Sequence, residues 1–346
     1  MQTRVYDLKK EYEQGMEAAA REIESGGLVV FPTETVYGIG ADAQNQDAVR
    51  RIFAVKGRPM HNPPIAHICL MEQALCAAEL PPFAEKLLAA FWPGPFTAVR
   101  KSRGKIPRET TAGLDTVALR MPGSAIAREL IRKSGRLIAA PSANLSGKPS
   151  GTTAPDVIAD FDGLVPIILD GGPAQVGVES TVCDLTGDTP IILRPGGVTA
   201  EMIQQECGRV QISPAVLHGL TSGEKAASPG MKYQHYAPRA KVYVIKAQNQ
   251  SALAKGVNSL YHREEQKGRK VEIFCMNSRA ENYAGKRVRQ MGESVWDVAR
   301  NLFSSLRQAD SQGVEVILFE DVGEEGMGLA VSNRIIRAAG FDILSV

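Results

Sequence analysis

Hydrophobic positions in the first 200 residues recur with two different periods. Residues 13–25 place Met16, Ala19 and Ile23 on one stripe, which is the spacing of an amphipathic helix that Gly26-Gly27 would end. The same pattern predicts further helices at 47–55, 82–91, 124–134 and 155–160. Short apolar runs predict strands at 28–31, 65–70, 96–100, 116–120, 137–140, 167–169, 180–184 and 191–194. We therefore expect an α/β domain with many strands, more irregular than a βαβ repeat.

The pattern changes near residue 212. Residues 213–240 are rich in Gly, Pro, Ser and Ala and have no sustained period, which is typical of a linker. Beyond them, strands predicted at 241–245, 271–275 and 314–319 alternate with helices at 250–265, 294–309 and 328–338. Such alternation favours a small parallel sheet wrapped by helices. The predicted organisation is a domain at 10–211, a linker at 212–240 and a smaller Rossmann-like α/β domain at 241–346.

Composition narrows the class of protein. The chain has 346 residues, 44% of them hydrophobic and 23% charged, and a formal net charge of +2. A charge this close to zero does not indicate a large nucleic-acid surface. The five cysteines are far apart and form no C-x-x-C pair, which favours reduced thiols in the cytoplasm. No apolar run approaches the roughly 20 residues of a membrane helix. We expect a cytoplasmic protein without a membrane partner.

One stretch imitates a nucleotide-binding fingerprint. Residues 38–43 read GIGADA and fit G-x-G-x-x-A. The fingerprint requires the first glycine at a strand end and a helix opening at the third position. Here residues 32–37 separate the predicted strand from Gly38, and the next helix begins only near Asp47. The motif is therefore weak evidence for a dinucleotide.

Other polar segments suit a small charged ligand. Directly after a strand, hydroxyls and a carboxylate come from Thr33, Glu34, Thr35 and Tyr37. Taken alone, a capped turn is the favoured explanation of these residues. Two cations flank Gly57 in the segment KGRP, which suits phosphate binding or simply a basic helix C-terminus. The segment PSANLSG at 141–147 follows another strand. His67 interrupts an apolar strand, where a core histidine is the common explanation.

Taken together, these segments resemble a known family. The blocks are FPTETVYGIGADA, KGRP with NPPIAHI, FWPGPFT, TVALRMP, APSANLSGKPSGTT, LDGG with GVESTV, and ILRPGG. In this order they resemble threonylcarbamoyl-AMP synthase, the YrdC-like domain family. SPGMKYQHYAP and GMGLAVSNRIIRAA resemble the long, two-domain form. The second proline of Asn62-Pro63-Pro64 departs from the family, which often has leucine there.

The resemblance implies a fold and a reaction. The fold is a twisted mixed-sheet α/β domain with a deep basic cavity, followed by the smaller Rossmann-like domain. The reaction joins L-threonine, bicarbonate and ATP into L-threonylcarbamoyl-AMP and releases pyrophosphate. Mg²⁺ would be bound with ATP and not in a separate protein site. The implied downstream partners are tRNA threonylcarbamoyl transferase proteins, which modify an adenosine next to the anticodon. A weak RNA contact stays open.

The resemblance also assigns site residues. Catalysis falls to Lys56 and Arg58. The positions that match ATP contacts are Lys56, Arg58, Asn62, Thr116, Ser142, Asn144, Ser150, Arg194 and Tyr236. The positions that match threonine contacts are Thr35, His67, Arg120, Ala140 and Ser180. Tyr236 belongs to a segment that resembles a lid over the opening of the active site.

Three other functions are weighed against this one. The main alternative is a non-catalytic RNA-binding module that uses the same cations on an RNA backbone. A second alternative is a carbamoyl transferase acting on carbamoyl phosphate, since a related domain occurs in hydrogenase-maturation proteins. Those proteins carry acylphosphatase and zinc-finger segments, and this chain has no C-x-x-C pair. A nicotinamide dehydrogenase depends on the weak glycine motif alone.

Overall fold

The chain divides into two compact units in a computed structural model. The structure describes residues 1–60, 62–218 and 236–346, with no side-chain description for Leu217 and His218. Among the described residues, the first unit comprises 1–146 and 150–218. The second comprises Gly147–Pro149 and 236–346. Most of the predicted linker, including the SPGMKYQH part of the lid segment, lies outside the described residues. The sequence pattern predicts no helix or strand at the start of this linker. In the structure, Gln211–Ile212 forms a short strand and Ala215–His218 a short helix.

The first unit is built on one large mixed sheet. Its strands are β1 (Arg4–Asp7), β2 (Val29–Phe31), β3 (Gly38–Asp42), β4 (Ala66–His67), β5 (Phe96–Lys101), β6 (Thr116–Arg120), β7 (Ile138–Ala139), β8 (Ile167–Asp170), β9 (Thr181–Asp184), β10 (Ile191–Arg194) and β11 (Gln211–Ile212). They are ordered β1-β8-β2-β3-β7-β4-β6-β5-β9-β10-β11. Parallel and antiparallel pairs alternate irregularly, so the predicted mixed α/β class is confirmed.

Helices cover the two halves of this sheet differently. They are α1 (Tyr12–Glu24), α2 (Gln46–Lys56), α3 (Met71–Ala77), α4 (Pro82–Phe91), α5 (Ala125–Ser134), α6 (Ala154–Phe161), α7 (Ala200–Cys207) and α8 (Ala215–His218). One core packs α1 and α5 on one face of the β2–β8 half, and a second packs α2 and α6 on the other face. A third core packs α3, α4 and α7 on the β5–β6 half.

The second face of the β5–β6 half differs from the others. Its buried apolar side chains form a small cluster of Ile65, Val99, Ala118, Val182, Leu193 and Ala215. Side chains alternate between the faces of a strand. Thr97 of β5 and Arg120 of β6 therefore project on the same face as this small cluster. This face carries the polar side chains described below.

The GIGADA segment is part of the sheet. Gly38–Asp42 forms β3, which pairs antiparallel with β2 and with β7. A Cβ on Gly40 would lie 2.6 Å from Ile138 Cγ2 and 2.7 Å from Phe31 Cε1. The glycine is required because neighbouring side chains pack against its backbone. The sequence pattern predicts no strand at 38–42, and the structure corrects this omission.

The second unit contains a five-stranded parallel sheet. Its strands are β12 (Lys241–Lys246), β13 (Val271–Cys275), β14 (Val288–Gln290), β15 (Val316–Glu320) and β16 (Ile343–Ser345), in the order β14-β13-β15-β12-β16. All four pairings are parallel. The helices are α9 (Gln250–Glu265), α10 (Val295–Ser311) and α11 (Met327–Ala338), with a 3₁₀ helix at Asn277–Tyr283. The predicted parallel sheet wrapped by helices is confirmed.

Candidate active site

Arg120, at the end of β6, is held by three acceptors. Nη2 donates to Glu34 Oε1 at 2.6 Å, Nη1 donates to Thr35 Oγ1 at 3.0 Å, and Nε donates to the Gly94 carbonyl at 3.3 Å. The side chains of Arg120 and Glu34 are only 4% and 10% exposed. These bonds leave one N–H on each terminal nitrogen, and a guanidinium fixed in this way suits a ligand carboxylate.

The hydroxyl of Thr35 is ordered by its neighbours. Thr33 Oγ1 donates to the Val36 carbonyl at 2.6 Å and lies 2.8 Å from Thr35 Oγ1. Because the Thr33 proton is used on that carbonyl, Thr35 donates to Thr33 while it accepts from Arg120. One lone pair of Thr35 Oγ1 then remains, and it can accept a bond from an amine or a hydroxyl.

Glu34 is kept charged although it is nearly buried. Burial alone raises the pKa of this carboxyl, but the Arg120 guanidinium and the hydrogen bonds from Gly123, Arg120 and its own backbone together hold the pKa below the ordinary 4.5. Oε2 also accepts from the Ser124 amide at 3.2 Å, at the N-terminus of α5. Glu34 therefore fixes the position of Arg120 and neutralises part of its charge.

His67 is a buried, neutral imidazole. It pairs with Arg120 across β4 and β6, and Nδ1 lies 3.1 Å from the Ile65 carbonyl, so Nδ1 carries the proton. Burial and the positive charge of Arg120 lower the pKa of His67 to about 3. Because the ring stays uncharged near neutral pH, it adds no cation beside Arg120.

Ser180 directly precedes β9, and Arg194 ends β10, the strand that pairs with β9. Arg194 donates from Nε and Nη2 to the Ser180 carbonyl at 3.1 and 3.0 Å, and from Nη2 to Ser180 Oγ at 3.2 Å. Ser180 Oγ also lies 2.8 Å from Thr97 Oγ1 on β5. The β9–β10 register shifts between Ile192 and Arg194. Such an irregularity re-aims a side chain, here onto Ser180.

A second polar group surrounds the loop after β7. Lys56 Nζ donates to the carbonyls of Ser142 and Asn144, and Ser142 Oγ donates to Asn144 Oδ1 at 2.6 Å. Lys56 is buried at the end of α2, so its amine closes this loop onto the helix. The backbone bridge between Gly38 and Ser142 ties the same loop to β3.

Arg58 and Asn62 lie just beyond α2. Arg58 Nη2 donates to the Asn62 carbonyl at 3.1 Å, and its guanidinium lies 5.8 Å from the Phe53 ring centroid. Asn62 is buried, and its Oδ1 has no hydrogen-bond partner among the described residues. A donor from a bound substrate would satisfy this oxygen. Ser150 lies farther along the chain and donates to Glu179 Oε1 at 2.6 Å.

Some predicted site residues meet and others do not. Thr35, His67 and Arg120 form one group, and the Ala140 amide joins it through its bond to the Ile65 carbonyl at 2.9 Å. Thr116 lies at the opposite end of β6, about 13 Å from Arg120 at roughly 3.3 Å per residue. Tyr236 lies in the second unit, with its ring 5.1 Å from that of Phe303. The predicted roles, and the deep basic cavity, stay predictions.

Four side chains in these networks are absent from the predicted site. They are Thr33, Thr97 and Glu179, which are buried, and Glu34, which is nearly buried. Each lies inside a block that carries the family resemblance, namely FPTETVYG, FWPGPFT and GVESTV. The sequence blocks therefore include these residues, but only the structure shows which side chain each residue contacts.

No group of three or more His, Cys, Asp or Glu side chains that could hold a metal ion occurs in the described ranges. Within the same ranges, no helix is both long and apolar enough to cross a membrane. The five cysteines are unpaired thiols.

Comparisons with known proteins agree with this fold. The Sua5/YciO/YrdC family model, described as "Telomere recombination", matches residues 21–196. A second model, "Threonylcarbamoyl-AMP synthase, C-terminal domain", matches residues 198–340. A threonylcarbamoyl-AMP synthase of Pyrococcus abyssi is 47% identical over 95% of both chains, and one of Bacillus subtilis is 42% identical over 93% of this chain and 92% of its own.

Solved structures give the same result. The structure of P. abyssi Sua5 complexed with L-threonine has a TM-score of 0.90 and 47% identity, covering 96% of each chain. A double-alanine variant of the same protein has a TM-score of 0.94 and 45% identity, covering 99% of this chain and 98% of its own. The molecule is thus of the two-unit α/β class with a large mixed sheet. It belongs to the threonylcarbamoyl-AMP synthase family, and the predicted resemblance is confirmed.

Proposed function

We propose that this protein synthesises L-threonylcarbamoyl-AMP from L-threonine, bicarbonate and ATP. The observation that carries the proposal is the fixed guanidinium of Arg120, which is bonded to the hydroxyl of Thr35. On β5, the strand that pairs with β6, Thr97 lies within 2.8 Å of a second hydroxyl, that of Ser180. These groups match the carboxylate, amine and hydroxyl of L-threonine. The solved P. abyssi relative with L-threonine supports the same ligand. The enzyme class would be a nucleotidyltransferase that transfers an adenylyl group.

The chemistry requires no nucleophile from the protein. The threonine amine and bicarbonate give a carbamate and water. A carbamate oxygen then forms a bond to the α-phosphorus of ATP, and the bond from that phosphorus to the bridging oxygen breaks to release pyrophosphate. The protein's contribution is to hold two mutually repelling anions in place and to neutralise charge on the leaving group. Arg120 would hold the threonine carboxylate, and the neutral His67 would pack beside it.

The nucleotide would occupy the second polar group. Lys56, Arg58 and Asn62 would bind the phosphates, with Lys56 and Arg58 stabilising the departing pyrophosphate. The remaining proposed contacts are Thr116, Ser142, Asn144, Ser150, Arg194 and Tyr236. Arg194 contacts Ser180, so it links the nucleotide residues to the threonine residues. Mg²⁺ would arrive on the ATP phosphates, where it neutralises charge, and Asn62 Oδ1 is an oxygen suited to a water of that ion.

The product would serve tRNA modification in the cytoplasm. A transferase would pass its threonylcarbamoyl group to an adenosine next to the anticodon. The mixed anhydride is labile in water, and the segment around Tyr236 would act as a lid that excludes water from it. The relatives named as synthases do not favour the non-catalytic RNA-binding alternative.

Pyrophosphate release tests the proposal directly. The purified protein is assayed with ATP and magnesium, with and without L-threonine and bicarbonate. We expect release that requires both co-substrates and a loss of roughly 100-fold in Arg58→Ala, the magnitude typical for one charge-stabilising group. Release without L-threonine, or no release at all beside salt-sensitive RNA binding, would contradict the synthase.

Arg21→Ala is the matched control. Arg21 is a surface arginine of α1 whose side chain is 71% exposed and 3.8 Å from Glu17. Its removal should leave pyrophosphate release unchanged, because an exposed pair at this distance contributes little. A similar loss in both variants would indicate a general effect of charge and not a role for Arg58.

A further inference from the structure

A cavity of about 310 Å³ lies in the second unit, at the carboxyl ends of β12 and β15. Its lining includes Asn249, Gln250, Arg279, Asp321 and Gly323. The two strands are neighbours, but α9 leads from β12 towards β13 while α11 leads from β15 towards β16. Crossovers that leave adjacent strands in opposite directions open a crevice between them, and ligands of open α/β sheets bind in such crevices.

Arg279 is fixed at this cavity by a buried carboxylate. Its Nη1 donates to Glu320 Oε2 at 3.3 Å and to the Asp321 carbonyl at 3.4 Å. Glu320 is 2% exposed, and its other oxygen accepts from the Tyr283 hydroxyl. A buried acid that is bonded on both oxygens holds the guanidinium in one orientation. The described contacts leave Nε and Nη2 of Arg279 for a ligand anion.

The N-terminus of α9 faces the same cavity. Asn249 Oδ1 caps the helix by accepting from the Ala252 amide at 2.9 Å. The amides of Gln250 and Ser251 precede those that can bond within the helix. Together with the positive end of the helix dipole, they favour an anion near Gln250.

Asp321 supplies the opposite charge. Oδ2 accepts from the Gly323 amide at 3.3 Å, whereas Oδ1 is buried and has no hydrogen-bond partner among the described residues. An unsatisfied carboxylate oxygen is costly. Asp321 is part of the cavity lining, and rotation about a terminal carboxylate torsion is soft, so the carboxylate can turn towards a ligand. A ligand N–H donor would then satisfy it.

We propose that this cavity binds a free α-amino acid. Its carboxylate would bind Arg279 and the α9 amides, and its ammonium group would bind Asp321. The lining carries one cation and one anion, and the adjacent Lys246 is neutralised by Glu324 at 2.6 Å. A zwitterion matches this balance. A nucleotide matches it less well, because its phosphate dianion would meet a single lining cation and its base would find no aromatic side chain in the lining.

Calorimetric titration of the full-length protein tests the site. The probes are the proteinogenic amino acids other than L-threonine, one at a time, with AMP and inorganic phosphate for comparison. L-Threonine is excluded because the proposed catalytic site takes it. We expect at least one amino acid to bind with one equivalent per chain. Its N-acetyl and methyl-ester derivatives should each bind at least roughly tenfold more weakly, since each lacks one of the two charges.

Substitutions then locate the binding. Asp321→Asn and Arg279→Gln should weaken it by roughly tenfold or more, about 1.4 kcal/mol. Arg300→Gln is the control, because this arginine of α10 has a half-exposed side chain that forms an ion pair with Asp297 at 3.3 Å, one turn away on the same helix. Asp321→Asn is nearly isosteric and keeps the test valid if Arg279→Gln fails to fold. No amino acid binding at millimolar concentration, binding insensitive to Asp321→Asn, or binding of AMP or phosphate alone would each overturn the proposal. Pyrophosphate release is measured separately, so failure here leaves the synthase proposal intact.

Discussion

In the Arg120–Glu34 ion pair, Glu34 contributes more to the position of Arg120 than to the stability of the fold. Taking two charges out of water costs most of what their attraction returns, so a buried pair contributes little net stability. The pair does fix the orientation of a guanidinium that donates to two further acceptors, Thr35 Oγ1 and the Gly94 carbonyl. The requirement for a fixed cation next to Thr35 therefore accounts for a nearly buried acid at position 34.

Glu34→Gln should separate these effects. It keeps the shape and an acceptor oxygen but leaves the Arg120 charge uncompensated, so the free energy of unfolding should fall by about 3 kcal/mol. The loosened guanidinium must then be ordered on binding, and L-threonine affinity should fall roughly tenfold. Urea unfolding and calorimetry measure the two effects. Unchanged or tighter L-threonine binding would contradict the positioning role.

The contribution of the Glu34 carboxylate to the free energy of unfolding should depend on pH. The folded-state pKa of Glu34 lies below the ordinary 4.5. Its contribution is therefore complete above about pH 4.5 and is lost as the pH falls through the folded-state value. The difference in unfolding free energy between wild type and Glu34→Gln should shrink on acidification. A difference that stays constant down to about pH 3 would mean that the charge is not responsible.

His67 predicts a dependence in another pH range. Its pKa is about 3 in the folded state against an ordinary 6.5, so the unfolded chain binds the extra proton between these values. Wild-type stability should therefore fall as the pH drops from 6.5, by up to about 1.4 kcal/mol per unit from this group. His67→Gln removes the imidazole, and its unfolding free energy should depend less on pH from about 4 to 6.5. Equal slopes in urea titrations would show that His67 already titrates normally.

At the residue scale, the sequence predicts which residues belong to the site but not which side chains they contact. Arg120 and Thr35 were assigned through the family resemblance, and the structure brings them within 3.0 Å. Glu34 was noticed only as a carboxylate in a loop. Its bond to Arg120 spans 86 positions in the chain, and hydrophobic periodicity carries no information about pairs that distant.

Among the elements, long and strongly patterned segments were predicted well. The strands at 116–120 and 271–275 and the helices at 82–91 and 250–265 have the predicted bounds. Four of the missed strands, β1, β11, β14 and β16, lie at the edges of their sheets. Such strands exist because a distant neighbour pairs with them. β3 was missed because its glycines weaken the strand signal, although packing demands them.

The turn that presents Ser180 depends on one glycine. A Cβ on Gly196 would lie 2.4 Å from the Glu179 carbonyl oxygen and 2.4 Å from the Thr181 amide. These are backbone atoms and cannot rotate away. We therefore expect Gly196→Ala to destabilise the fold by about 1–3 kcal/mol or more and to displace Ser180 from Arg194. Thermal unfolding and pyrophosphate release would measure both effects.

Gly187→Ala is the control for this prediction. Gly187 lies in the connection between β9 and β10, and a Cβ there has nothing within 4 Å. The change should be neutral or slightly stabilising, because alanine reduces the freedom of the unfolded chain. If both variants behaved alike, close backbone approach at Gly196 would not be the cause.

At the scale of the whole molecule, each unit has its own hydrophobic core. The four clusters around the mixed sheet contain only residues of the first unit, and the cluster around the parallel sheet contains only residues of the second. A unit with a complete core can fold alone. The change of pattern near residue 212 predicts two domains joined by a linker, and the family resemblance alone suggests a role for that linker.

A pair of truncations tests that role. The fragment 1–218 retains the mixed sheet and the Thr35–Arg120 group, so it should fold and bind L-threonine. Accumulation of threonylcarbamoyl-AMP should fall by roughly tenfold or more, since the proposed lid is missing and water reaches the labile anhydride. The fragment 1–240 restores the lid segment with Tyr236 and should recover part of this activity without the second unit. Full activity in 1–218 would contradict the lid. Equal inactivity in both fragments would assign the requirement to the second unit, because the segment alone would then be insufficient.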